Sequence, residues 1–434
     1  MKKSKRLAIA FGVIALTCYS WYAIFSEGME KQQRYDNYLK EARENSELGV
    51  VSVAKTYYEQ ALSMHDSIEL RLELAECYLN NNQASLFLDT CRAAIDLEPF
   101  NVKPYELLMD YYFTNGEYSS CYSVYKDTSN KNILSQSIEN YYEQMKYKYK
   151  FADAKYNNIT EYRNGYAITC YDNGYYGYVS SSASKAFNET YIKATPFSNG
   201  YAAVIDRNGQ AMIINDNGVK TYVDPKKREI TDVKSYASYA FAVQIDGKYT
   251  YVDLQFNDIG GSFDDAGAFL NGVSIVLDNG KWYVIDESLN KLGQEFDDIK
   301  MDFVDVAFRM QRGFGKIGDS YYLINQQGEK VNDTAYEDAD VFYNGCAAVK
   351  KEGKWGFIDK EGKWIIQPAY DEAKSFANGY AAVCTDGEWF FINEQGNKVI
   401  SGNFEGAYDM TDNGTAFVCV NNEWRLLQLY SYGH

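Results

Sequence analysis

The sequence predicts an α+β multidomain chain: an N-terminal transmembrane helix, then a helical repeat array, then an all-β repeat domain. Three observations predict it. Residues 7–25 form a 19-residue run without a charge. Helical patterning then recurs every 33 to 34 residues over about 30–150. From about residue 156 onward, hairpin-like segments follow one another at spacings of 32 to 41 residues. The expected boundaries are 1–28 for the basic start and anchor, 29–152 for the helices and 153–434 for the β repeats.

The first segment follows from bilayer dimensions. Nineteen apolar residues at about 1.5 Å per residue span a hydrocarbon core of about 30 Å. Lys2, Lys3, Lys5 and Arg6 precede the run, and Ser26, Glu27 and Gly28 follow it. Basic residues stay in the cytoplasm, so the N-terminus is expected inside and the bulk of the chain outside. Two other fates stay open. Lipid attachment at Cys18 fits the charged start and the apolar stretch to Leu16, although Thr17 suits that processing badly. Cleavage and secretion would need a small-x-small site, and none follows closely.

In the helical region, one unit carries Tyr38, Ala42, Gly49, Ala54, Tyr58 and Ala61. The next carries Leu74, Ala75, Tyr78, Asn82, Cys91, Ala94 and Pro99, and a third carries Tyr105, Leu108, Tyr112, Gly116, Cys121 and Tyr125. Small residues let antiparallel helices approach, and Gly49, Asn82 and Gly116 sit where a short turn needs positive φ. Pro99 cannot continue a helix. Phe87 departs from the pattern by filling a small-residue position. The arrangement resembles tetratricopeptide repeats, which implies packing roles for Tyr58, Ala61, Tyr78, Ala94 and Tyr112; such a stack either binds an extended peptide or helix in its concave face or serves as a spacer.

The β region is the most informative. Residues 343–366 and 377–400 are near-copies, 34 apart. Lys354-Trp355-Gly356-Phe357-Ile358-Asp359, with Gly362 and Ile366-Gln367-Pro368, resembles the WG repeat family of bacterial proteins. Taking one marker per copy gives eight: Gly165, Gly200, Tyr239, Gly272, Gly313, Gly345, Gly379 and Gly414. The tryptophan position is held by Tyr176, Ala211, Tyr249, Trp282, Tyr321, Trp355, Trp389 and Trp424. The resemblance makes Trp282, Trp355, Gly356, Phe357, Trp389 and Trp424 the repeat signature. Asn173-Gly174, Asn208-Gly209, Asp246-Gly247, Asn279-Gly280 and Asp386-Gly387 read as type I′ hairpin turns.

The strand after each turn is apolar at consecutive positions, as in Trp282-Tyr283-Val284-Ile285 and Trp389-Phe390-Phe391-Ile392. A sheet with one wet face would alternate instead. Both faces are therefore expected to be buried by stacked sheets, in a propeller-like ring or in an open β-solenoid or hairpin array.

Composition narrows the function. The net charge of −17 disfavours a nucleic-acid partner. Eight scattered cysteines, without a CxxC pair, read as buried small hydrophobes. Two histidines, His65 and His434, leave little material for a triad or metal site. The acid pairs Asp264-Asp265, Asp297-Asp298 and Asp371-Glu372 recur in register, which points to a turn or edge role rather than to glycosidase chemistry. Asp359-Lys360-Glu361-Gly362 lacks the oxygen spacing of a calcium loop. The expectation is a membrane-anchored, extracytoplasmic scaffold at a bacterial surface, without enzyme activity, cofactor or metal. Its partner would be a protein or peptide; the alternative is a module binding cell-wall glycan through exposed Tyr and Trp.

Overall fold

A computed structural model describes residues 2–434, with side chains from Ser20 onward. Cys18 and most of the apolar run 7–25 lie outside the described side chains. Among the described residues no helix is long and apolar enough to cross a membrane. The chain divides into two compact units, residues 1–146 and 147–432.

The first unit is helical. The long helix Lys2–Glu47 is followed by Val51–Met64, Ile68–Asn80, Ala84–Leu97, Lys103–Thr114, Tyr118–Asn130 and Gln136–Met145. Sequence explains the ends. Ser67 and Ser135 cap their helices by accepting from the Leu70 and Ile138 amides at 3.3 and 3.4 Å. Gly49, Asn82 and Gly116 all have positive φ. Beyond each, a backbone amide returns to the preceding helix: Val50 to Asn45, Gln83 to Tyr78, Glu117 to Tyr112. These contacts satisfy carbonyls that a helix end otherwise leaves orphaned. Asn132 repeats the device, with Ile133 bonding back to Thr128. Tyr58, Ala61, Tyr78, Ala94 and Tyr112 are all buried, and so is Phe87, whose ring packs 5.2 Å from that of Tyr111.

The second unit is a β-propeller of seven hydrogen-bonded sheets. Strand Tyr149–Tyr156, a stretch expected to be partly helical, belongs here. A typical sheet is a meander: Asp265–Ala266, Val273–Asp278, Lys281–Asp286 and Lys291–Phe296. Six sheets have four strands and one has six. The six-stranded sheet holds two repeats, because Tyr191–Ala194 serves both. Its Tyr191 lies opposite Tyr176 of the first repeat, and its Lys193 and Ala194 lie opposite Ile205 and Val204 of the second. Eight repeats therefore occupy seven sheets.

The ring closes by pairing Tyr149–Tyr156 with the last strand, Glu423–Leu429. Core composition says the same. Ile159, Tyr162 and Ala167 of repeat 1 pack with Phe417 and Leu426 of repeat 8. Around the rest of the ring, apolar clusters join one repeat to the next. The consecutive apolar residues are explained by this stacking: Val284 packs towards repeat 5 while Ile285 packs towards repeat 3. Phe391 and Ile392 split in the same way between repeats 8 and 6. Both faces are dry, so alternation has no role.

Turn chemistry partly corrects the expectation. Asp246-Gly247, Asn279-Gly280 and Asp386-Gly387 have positive φ at both residues, as type I′ turns require. At Asn173-Gly174 and Asn208-Gly209 only the glycine does, because the loop is longer. There Tyr171 bonds to Tyr175 and Asp206 to Gln210, four residues on. Apart from Gly313, which lies within a strand, the marker glycines prove to be turn residues too: Asn164-Gly165, Asn271-Gly272 and Asn344-Gly345 are tight positive-φ turns.

Candidate binding site

Each repeat signature residue has a definite place. The aromatic at the tryptophan position lies opposite an aromatic of the neighbouring strand: Trp282 with Phe296, Trp355 with Tyr370, Trp389 with Phe404. Trp424 stacks on Tyr408 at 4.4 Å. Trp282 is 8% exposed, but Trp355, Trp389 and Trp424 are only half-buried. The expectation that these rings are sealed from water is corrected to that extent. The sealed position is two residues on, at Val284, Phe357, Phe391 and Leu426. Gly356 answers to a close approach. A Cβ there would lie 2.7 Å from the Ile366 carbonyl oxygen and the Pro368 nitrogen. The glycine and the Ile-Gln-Pro bulge are thus one device.

The recurring acids are structural staples. Asp264 takes the Asn279 amide at 3.0 Å and pairs with Lys248. Asp297 takes the Gly318 amide at 2.7 Å and pairs with Lys281. Asp371 takes the Asp386 amide at 2.8 Å and pairs with Lys354. Each fixes the next hairpin turn. Asp359 likewise accepts from the amides of Glu361 and Lys363 at 3.0 and 2.8 Å, closing its own turn. The cysteines Cys77, Cys91, Cys121, Cys346 and Cys384 are buried and free. Cys419 is only half-buried, beside Glu405.

A cavity of about 340 Å³ opens among repeats 1, 5, 6, 7 and 8. In repeats 5 to 8 every residue lining it follows the short first strand of its repeat; in repeat 1 they lie on the segment before Tyr166–Cys170. Repeat 5 gives Met301, Asp302 and Phe303; repeat 6 gives Asp340, Val341 and Tyr343. Lys374 comes from repeat 7, Tyr408 and Asp409 from repeat 8, and Thr160, Glu161 and Arg163 from repeat 1. Sequence reasoning singled out none of these. One signal was visible: Gly272 and Gly313 are 41 residues apart, the longest spacing. The extra residues form the loop after Lys300, which crosses towards repeats 3 and 4. There the Ser235 amide bonds to the Asp305 carboxylate at 2.8 Å and the Ala268 amide to its carbonyl at 2.7 Å. Val304 and Val306 pack on Ala237 and Ala268.

The loop also anchors one wall. Asp302 accepts from the amides of Val304 and Val306 at 3.0 and 2.9 Å, from Arg309 Nε at 2.7 Å and from the Tyr343 hydroxyl at 2.9 Å. Tyr343 in turn accepts from Arg163. The Arg163 guanidinium lies 5.1 Å from the Phe303 ring centre and 4.6 Å from that of Tyr343. Cation–π contact replaces part of its lost hydration. Asp340 accepts the Val341 and Ser375 amides, both at 2.9 Å.

The remaining carboxylates are poorly supplied. The Glu161 and Asp409 side chains are each 13% exposed. Glu161 has Arg163 at 3.3 Å; Asp409 has it only at 4.0 Å. Burial, reinforced by Asp409, pushes the Glu161 carboxyl up to about 8. Burial also lifts Asp409 to about 6, against the pull of Arg163. Burial works against the Lys374 charge, but Asp340, Glu161 and Asp409 outweigh it and raise its pKa. Burial above all, with Asp302 next, raises the Tyr343 phenol. The cavity therefore offers charges of both signs in a half-dry setting, with the Glu161 carboxyl keeping its proton at neutral pH.

Comparison with known proteins adds the following. Segments 261–282, 323–355, 355–389 and 389–424 match the WG containing repeat. No curated protein matches the chain. Among solved structures, BamB from Moraxella catarrhalis is 10% identical, with 65% of this chain and 98% of that one covered and a TM-score of 0.42. The C-terminal WD40 domain of Sif2 is 10% identical, with coverage of 64% and 98% and a TM-score of 0.42. The WD40 β-propeller domain of Doa1 is 16% identical, with coverage of 56% and 94% and a TM-score of 0.31. In the later repeats of its β unit, then, this chain is similar to WG-repeat proteins.

Proposed function

We propose that the protein is a membrane-anchored, extracytoplasmic scaffold that holds a protein or peptide partner and has no catalytic role. One observation carries the reading. The recurring acids, the residues best suited to chemistry by type, are engaged in fixing hairpin turns. What the repeats then offer is surface. Closed propellers and stacked helix pairs both present broad, rigid faces, and such faces suit binding.

Anchoring is supported by the basic start and by the first helix. Trp21, Tyr22, Ile24 and Phe25 are 77%, 70%, 70% and 68% exposed. Large apolar side chains exposed in a row match an apolar solvent better than water. The tetratricopeptide-like reading of the helices belongs to this proposal: paired helices with buried small residues would leave a groove for an extended segment. The glycan alternative gains little, because Trp282 is buried and Trp424 is covered by Tyr408.

Protease shaving of intact cells carrying a C-terminally tagged chain tests the topology. Loss of the tag together with retention in the membrane fraction is expected. A tag protected in intact cells, or a chain recovered wholly in the soluble fraction, contradicts the proposal.

A further inference from the structure

We propose that the cavity between repeats 1, 5, 6, 7 and 8 binds a small zwitterion of the amino-acid or short-peptide class. Its ammonium would sit at Asp409 and Glu161, and its carboxylate at Lys374. The inference stands apart from the scaffold reading.

A recurring ion pair is broken at Lys374. In repeats 3 and 5 the lysine after the short strand pairs with an acid of the next repeat, whereas repeats 4 and 6 carry Gly267 and Asp340 in that slot. Lys234 reaches Asp265 at 2.9 Å, and Lys300 reaches Asp338 at 2.8 Å. Lys374 holds the same slot in repeat 7. The acid's place in repeat 8 is taken by Gly406. A side chain there is resisted: a Cβ would lie 3.2 Å from the Trp424 ring, which is stacked on Tyr408. Among the described residues Lys374 Nζ has no hydrogen-bond or ion-pair partner within 4.0 Å. Its ammonium is left facing the cavity.

The opposite charge is left over nearby. Asp409 Oδ1 is buried and has no hydrogen-bond partner among the described residues, and Arg163 Nε shares that condition. Buried polar atoms are nearly always satisfied, and each exception calls for a partner. An organic cation would satisfy Asp409 and leave Lys374 bare. An anion would do the reverse. A zwitterion answers both at once. The volume lies at the small end of ligand sites, which run about 300–1,000 Å³, so an amino acid or dipeptide fits better than a larger ligand.

The test is calorimetric titration of the full chain with L-alanine and L-alanyl-L-alanine. Ethylamine and propionate serve as single-charge controls. We expect at least one zwitterion to bind, with both controls weaker by roughly tenfold or more. Lys374→Met is expected to weaken the zwitterion by roughly tenfold and leave ethylamine unchanged; Asp409→Asn is expected to weaken it equally and leave propionate unchanged. Which zwitterion binds more tightly distinguishes a free amino acid from a peptide. A control that binds as tightly as the zwitterions overturns the proposal, as does absence of zwitterion binding at about 10 mM. The wild-type comparison decides the matter even if a variant fails to fold.

Discussion

Two stretches of the same ring use one sequence slot differently. In repeats 3 and 5 the lysine after the short strand is spent on an acid of the following repeat. In repeat 7 the same lysine meets a glycine, and the charges of repeats 8 and 1 gather around a cavity instead. Repetition supplies the scaffold at low cost in sequence information. Departures from it, at Gly406 and in the loop after Lys300, accompany a cavity where buried charge is left over. A broken repeat is therefore a better pointer to function here than a well-kept one.

The sharpest way to break the contrast is to remove the loop's anchor. Asp302→Ala strips a carboxylate that is 2% exposed from Arg309, Tyr343 and two amides. We expect a loss of about 3–5 kcal/mol by chemical denaturation, as for removal of one partner of a buried ion pair. A loss below about 1 kcal/mol would show the loop to be a passive lid.

Gly356→Ala tests the well-kept side. Its Cβ would meet the backbone of Ile366–Pro368, and overpacking of this kind costs about 1–3 kcal/mol. The same change at Gly406 meets the edge of a tryptophan side chain and is expected to cost less.

The third prediction concerns pH. Glu161 and Asp409 have raised pKa values in the folded chain, so the folded state binds more protons than the unfolded one. Stability conferred by that difference is complete at acid pH and is lost as pH rises through about 6 and about 8. Arg163 and Lys374 oppose the rise, whereas Asp340 promotes it. Glu161→Gln should flatten the decline in melting temperature between pH 6 and 9. Lys374→Met should steepen it, by withdrawing a cation that holds both acids down.

The smallest effect is expected from Lys300→Met. It breaks a partly exposed pair with Asp338, worth less than about 1 kcal/mol, and should leave the pH profile unchanged. Equal pH profiles for Lys300→Met and Lys374→Met would erase the distinction between the two stretches.

Much of the fold was legible because it rests on local chemistry that recurs. The apolar run Trp389–Ile392 required two dry faces, and Asp-Gly and Asn-Gly required tight turns. Ring closure was harder to read: Tyr149–Tyr156 lies next to helical sequence, and its partner is more than 250 residues away. The half-buried state of Trp355 depends on how far neighbouring sheets diverge, which periodicity does not encode. The cavity was illegible for the same reason. Glu161, Lys374 and Asp409 are far apart in sequence, and each looks like an ordinary surface charge until the ring brings them together. Only the 41-residue spacing before Gly313 hinted that one repeat does something extra.

Ring closure is the claim on which the cavity depends, since repeats 8 and 1 meet only if the terminal strands pair. Hydrogen–deuterium exchange of the full chain tests it directly. If Tyr149–Tyr156 completes the last sheet, those of its amides that bond to Glu423–Leu429 should exchange far more slowly than the amides of an unpaired linker. Exchange of 149–156 at the rate of an unpaired linker, with 423–429 equally fast, would contradict closure.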